Sequence, residues 1–165
     1  MYAMASDIEQ MYNGIKLDEQ HWPLQLYLYS SELKVGVAPE VKVVKTMAYG
    51  VSSSSNQAIA GVKLVAETYK TKFPNVHKVL CNETYVDDIL PSGKSTLEEC
   101  HILADELNVV VELGGLKLKS FAFTSVAPDP SLSANGVTVD IVGMSWNTLL
   151  DKLSVKTGPI NFGKK

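Results

Sequence analysis

Asp87 and Asp88 stand side by side in Lys78 to Leu90, a stretch otherwise rich in strand formers. Adjacent carboxylates in such a stretch repel and lose hydration, so something positive should compensate. A divalent cation is the simplest compensator, and hard oxygen ligands with retained waters are what Mg²⁺ prefers. The bland alternative is a solvated turn, for which aspartates are equally suited. Asp7 raises the same question, since it lies inside an apolar stretch and is followed five positions later by Tyr12.

Other spellings of chemistry fail on their own terms. Gly93-Lys94-Ser95 looks like the end of a phosphate loop, but Asp88 occupies the position five residues earlier where that motif needs glycine, so a helix start is the better reading. His21, His77 and His101 lack the close helical pairing of a zinc site and are expected at the surface or partly buried. Cys81 and Cys100 are too few for a disulfide scaffold and are expected as core thiols in a reducing compartment. Asn82-Glu83-Thr84 is a glycosylation sequon by spelling alone, with no secretion signal before it.

The whole chain bounds these readings. Its 165 residues fit one domain, and 45% hydrophobic with 20% charged residues supply a core and exclude a disordered tail. No apolar run approaches the roughly 18 residues of a spanning helix, so no membrane partner is expected. A net charge of -3 argues against gripping nucleic acid by overall electrostatics, and all 15 basic residues are lysines, so the bidentate guanidinium fork is missing.

The elements that must position the aspartates are legible as patterns. Ala58, Val62, Val65 and Tyr69 fall at helical spacing after the serine run Ser52 to Ser55, whose serines stand ready as caps, and Phe73-Pro74 ends that helix. Ser95-Thr96-Leu97-Glu98 reads as a capping box opening a second helix, with Leu97, Cys100, Ala104, Leu107 and Val111 on one face and Gly114-Gly115 as the stop. Lys78 to Leu90 suggests a hairpin with Tyr85-Val86-Asp87-Asp88 near its tip; Leu24 to Tyr29, Leu116 to Phe123 and Val137 to Met144 suggest further strands. Strands interrupted by two separated helices suit an α+β sheet with helices on one face.

In this order the residues resemble a known family. Ala5-Ser6-Asp7-Ile8-Glu9-Gln10-Met11-Tyr12 resembles the first catalytic motif of reverse transcriptases, and Tyr85-Val86-Asp87-Asp88 resembles their YxDD box. Tyr49-Gly50-Val51-Ser52-Ser53-Ser54-Ser55 is similar to a segment of BEL/Pao-type retrotransposons, with serine at Ser55 where that family has proline. Gly115-Leu116-Lys117-Leu118-Lys119 is similar to the glycine and lysine motif after the second helix, and Val142-Gly143-Met144-Ser145-Trp146-Asn147 to the start of the primer-grip region.

The resemblance implies a polymerase palm, an antiparallel sheet with two helices packed on one face, spanning residues 1–165. A partial fingers insertion would lie at about 22–48 and a primer-grip-like end at about 137–151. It implies RNA-directed DNA polymerase activity, with two Mg²⁺ ions, or Mn²⁺ in their place, clamping the attacking and departing oxygens about 4 Å apart. Asp7, Asp87 and Asp88 would be the catalytic ligands, Asp88 the more dispensable, with the Ile8 carbonyl a minor ligand. Tyr12 would gate the incoming sugar, while also reading as a core tyrosine. Tyr85, Ser52 and Ser54 would meet substrate, and Lys119 would protonate pyrophosphate unless it is a solvated strand charge.

Implied partners are an RNA/DNA template-primer and dNTP, together with fingers, thumb and RNase H parts of a larger polyprotein, in the cytoplasm or in virus-like particles. The chain starts four residues before the resemblance and ends soon after it, so on its own it is expected to extend a primer poorly or not at all. A catalytically inactive remnant that binds nucleic acid or a protein is the alternative. A small Mg²⁺-dependent phosphotransfer or cyclase-like domain is a third reading, lacking a nucleotide-binding loop.

Overall fold

The computed structural model describes residues 1–32, 36–124 and 138–156. It is an α+β protein built on antiparallel sheets. In chain order the elements are β1 (Met4–Asp7), α1 (Met11–Gly14), a 3₁₀ turn (Glu19–Gln25), β2 (Leu26–Tyr29), β3 (Glu40–Val43), α2 (Ser54–Tyr69) and α3 (Pro74–Asn82), then β4 (Thr84–Tyr85), β5 (Asp88–Ile89), α4 (Leu97–Leu113), β6 (Ala122–Phe123), β7 (Thr138–Ile141), β8 (Met144–Asn147) and β9 (Lys152–Val155). Among the described residues no helix is long and apolar enough to cross a membrane.

The central sheet runs β4-β5-β1-β6, with every neighbouring pair antiparallel. Strand side chains alternate between faces. On one face Met4, Ile8 and Ile89 join Ala58 and Val62 of α2, Val76 and Leu80 of α3, and Leu107 and Val111 of α4 in a single apolar cluster. Each large side chain buried there contributes about 1.5–3 kcal/mol. Asp7, Tyr85 and Asp88 share the opposite face, because they pair with one another across the strands. Strands β2–β3 form a separate two-stranded ribbon and β7–β9 a three-stranded meander.

Several elements differ from the sequence pattern. The expected strand from Lys78 is a helix: Pro74 is favoured at a first helical turn, and Val76, Val79 and Leu80 then recur at helical spacing toward the core. The hairpin shrinks to Thr84–Ile89, and among the described residues three substantial helices rather than two pack on the sheet. The ladder begins at Leu26 because a 3₁₀ turn takes up Leu24 and Gln25. Val137 lies outside the described residues; the rest of its expected strand is split by a turn at Val142-Gly143. The expected fingers insertion at about 22–48 contains the β2–β3 ribbon, with residues 33–35 outside the described residues.

The run from Leu116 to Phe123 is not one regular strand. Pairs form at Ile8 with Leu118 and at Ala5 with Ala122. Between them β1 supplies Ser6 and Asp7, while the partner supplies Lys119, Ser120 and Phe121. That extra residue is a β-bulge, and the Ser6 hydroxyl bonds the Lys119 carbonyl at 2.9 Å within it.

The α4 capping box sits one residue later than its spelling suggests. The Thr96 hydroxyl accepts from the Glu99 N–H at 3.1 Å, and the Glu99 carboxylate accepts from the Thr96 N–H at 3.1 Å. At α2, Ser53 is the N-cap residue but makes no side-chain cap bond. Replacing the cap hydroxyl, Thr96→Ala, is expected to cost about 1 kcal/mol. Urea denaturation checks this against Ser95→Ala, which should cost a few tenths at most.

Candidate functional site

β1 carries Asp7 to the end of a buried strand, and the backbone fixes what lies beside it. Asp7 pairs directly with Asp88 on β5, and the Ile8 N–H donates to the Asp87 carbonyl at 2.9 Å. That bond makes Asp7 and Asp88 a non-hydrogen-bonded cross-strand pair, the closer of the two antiparallel types. Asp87 stands in the two-residue turn between β4 and β5. The same turn holds Val86 at φ 58°, a left-handed conformation that a β-branched residue adopts only at a cost.

Each carboxylate has a different surrounding. Asp7, 30% exposed, takes an ion pair from Lys119 Nζ at 2.9 Å, and the backbone N–H of Lys119 donates to the Asp7 carbonyl. Asp88 accepts from the Val142 N–H at 3.0 Å, so the β7–β8 turn closes over it. No described residue pairs with or hydrogen-bonds the Asp87 carboxylate.

Burial raises the Asp88 carboxyl above the ordinary aspartate range, and the nearby charges of Asp87 and Asp7 push it the same way, while the Val142 N–H and Lys119 oppose them. Lys119 is raised by its hydrogen bond to Asp7 and by the surrounding negative charge. Three carboxylates on the two central strands of a sheet and an adjoining tight turn are the oxygen donor set that Mg²⁺ or Mn²⁺ takes. Excess negative charge at Asp88 is what a cation would relieve. Their oxygens nevertheless do not form a closed trio: among the described residues, Glu67, His77 and Cys81 are the three such side chains whose ligand atoms all lie within 4.8 Å of one another. Asp7 is drawn to Lys119 and Asp88 to Val142 instead.

The remaining sequence candidates divide. Tyr12 is half-buried against the core, its hydroxyl shares a 2.8 Å hydrogen bond with the Ser55 hydroxyl, and its ring centroid lies 4.6 Å from that of Tyr49. The first motif and the serine segment therefore meet. The Ser54 side chain is buried and donates to the Ala48 carbonyl at 2.7 Å, which commits it to the loop, whereas Ser52 is exposed. Tyr85 is 64% exposed on the Asp7 and Asp88 face. Ile8 is buried, with its N–H on Asp87.

Gly93-Lys94-Ser95 is no phosphate cradle, since the Lys94 backbone exchanges hydrogen bonds with Tyr2 at 2.8 and 2.9 Å. Cys100 is buried as expected and Cys81 half-buried, both as free thiols. The pairing sought among histidines exists in another form: His77 lies one helical turn before Cys81 on α3, and Glu67 of α2 faces them. The one-turn His-to-Cys spacing is visible once residues 74–82 are read as a helix.

No protein-family model matches the chain, and no curated protein matches it.

The raised Asp88 carboxyl has a definite pH consequence. A carboxyl with a higher folded than unfolded pKa favours folding while both states are protonated, below about pH 4, and that contribution is lost as pH rises through the folded value. Asp88→Asn is therefore expected to raise the melting temperature of the cation-free chain at pH 7. The difference should vanish near pH 3. Thermal melts across that window check it; destabilisation at pH 7 would contradict the assignment.

Proposed function

We propose that this chain is the palm of an RNA-directed DNA polymerase, in which Asp7, Asp87 and Asp88 hold two divalent cations for nucleotidyl transfer from a dNTP to a primer 3′-hydroxyl. One observation carries the reading: two aspartates far apart in sequence lie directly opposite on neighbouring strands, with a third in the adjoining turn. The antiparallel sheet backed by helices on one face supports the palm architecture. Two more of the resembling segments come to the aspartates, through Lys119 on Asp7 and Val142 on Asp88.

When bound, such ions activate the attacking hydroxyl and stabilise the leaving pyrophosphate. The protein's part is positional. The apolar face of β1 and β5 is anchored by Ile8 and Ile89, which fixes the carboxylates on a rigid support. Tyr12, braced by Ser55 and Tyr49 and five residues after the first aspartate, presents a stiff aromatic wall that suits discrimination at the nucleotide sugar. Lys119, already charged and beside Asp7, is placed as a donor to a phosphate oxygen.

A second reading, an inactive remnant, is favoured by the Lys119–Asp7 pair itself, in which an ammonium occupies one carboxylate that an ion would need. Mn²⁺ titration followed by electron paramagnetic resonance separates the two. The polymerase reading expects saturable Mn²⁺ binding that strengthens when an RNA template, DNA primer and matching dNTP are added. Asp7→Asn and Asp87→Asn should each weaken it about tenfold or more, roughly 1.4 kcal/mol. Mn²⁺ binding indifferent to both substitutions, or to the matching dNTP, would overturn the reading in favour of the remnant.

A further inference from the structure

We infer that Glu67, His77 and Cys81 form a second, separate metal site, built for Zn²⁺ or a similar borderline-soft divalent cation, that ties α2 to α3 behind the Tyr85–Asp88 hairpin. The ligand atoms of the three side chains all lie within 4.8 Å of one another. Bonds of about 2.0–2.3 Å in tetrahedral geometry place ligand atoms roughly 3.3–3.8 Å apart, so small side-chain adjustments complete the trio. The donor types decide the metal: a thiolate and an imidazole select zinc over the magnesium suited to an all-carboxylate site. Three protein ligands leave the fourth position to water.

The supporting structure is already in place. His77 and Cys81, one turn apart on α3, project from the same helical face. Glu67 reaches them from α2 with one oxygen, Oε1, which is 2.7 Å from His77 Nε2. Its other oxygen, Oε2, accepts from Lys70 Nζ at 2.7 Å, a second partner that orients the carboxylate as outer partners of metal ligands do. On binding, His77 Nε2 and Glu67 Oε1 would exchange the hydrogen bond between them for bonds to the cation, while the Lys70 contact would stay to orient the carboxylate. Burial and the Glu67 charge raise the Cys81 thiol, so the cation would displace its proton on binding.

The location gives the site a structural consequence. Cys81 also lines a cavity of about 230 Å³ with Lys63, Thr84, Tyr85 and Val86, on the path from α3 into the turn that bears Asp87. A cation clamping α3 to α2 would stiffen the base of that turn.

The test titrates the EDTA-treated full chain with Co²⁺ and follows the near-ultraviolet thiolate-to-cobalt absorption, then displaces Co²⁺ with Zn²⁺. One Co²⁺ per chain with that absorption is expected, abolished in Cys81→Ala and retained in Cys100→Ala. Glu67→Ala alters an exposed side chain and His77→Ala a half-exposed one; each should weaken Co²⁺ binding at least tenfold while circular dichroism stays unchanged. Zn²⁺ should raise the melting temperature of the parent chain and leave that of Cys81→Ala unmoved. Absence of the absorption in the parent chain, its survival in Cys81→Ala, or parent-like affinity in folded Glu67→Ala would each overturn the site.

Discussion

Two carboxylates held directly opposite on adjacent strands repel, and the rest of this structure is arranged around that fact. The pair cannot turn away, because its strands are pinned from behind: Ser6 opposite Ile89 places one side of the ladder in the apolar cluster, so Asp7 opposite Asp88 must occupy the other. A one-residue slip of either strand would turn its own side chains over and bury its aspartate in the apolar cluster. The register is thus set by hydrophobic burial, and the electrostatic cost at the open face follows from it.

The surrounding irregularities read as responses to that cost. The bulge between Leu118 and Ala122 carries Lys119 to Asp7, and the Val142-Gly143 turn brings a backbone N–H to Asp88. Gln10, Val86 and Val142, all near the aspartates in sequence or contact, have positive φ although none is glycine. Strained backbone of this kind persists only where the surroundings over-determine it, and it concentrates at functional sites. The Glu67, His77 and Cys81 side chains gather between α2 and α3, and Cys81 lines a cavity with Thr84, Tyr85 and Val86 of the same hairpin.

How much of this was legible depends on the range of the forces involved. The apolar face of α4 and the stop at Gly114 follow from local rules, and Cys100, Ala104, Leu107 and Val111 are buried as their spacing predicts. Residues 78–82 are ambiguous in sequence because Val79 and Leu80 satisfy a strand or a helix; Pro74, four residues upstream, starts the helix and settles the period. The capping box sits one residue later because Ser95 with Glu98 and Thr96 with Glu99 both spell one, and the fold closes the Thr96–Glu99 pair. At the site, sequence motifs brought Asp7, Asp87 and Asp88 to attention. The ion pair with Lys119 and the bond from Val142 depend on a bulge and a turn with no local signature, and the role of Ser54 depends on a loop carbonyl six residues back.

The pairing of residue 7 with residue 88 is the claim on which the account stands, and disulfide trapping tests it most directly. In a chain with Cys81 and Cys100 replaced by alanine, cysteines at positions 7 and 88 should cross-link rapidly on mild oxidation, since directly opposite non-hydrogen-bonded positions approach to about 4.5 Å between Cα atoms, within disulfide range. Cysteines at 7 and 85, two strands apart, should not. Failure of the 7–88 bridge, or equally rapid bridging of 7 with 85, would contradict the register and the carboxylate cluster built upon it.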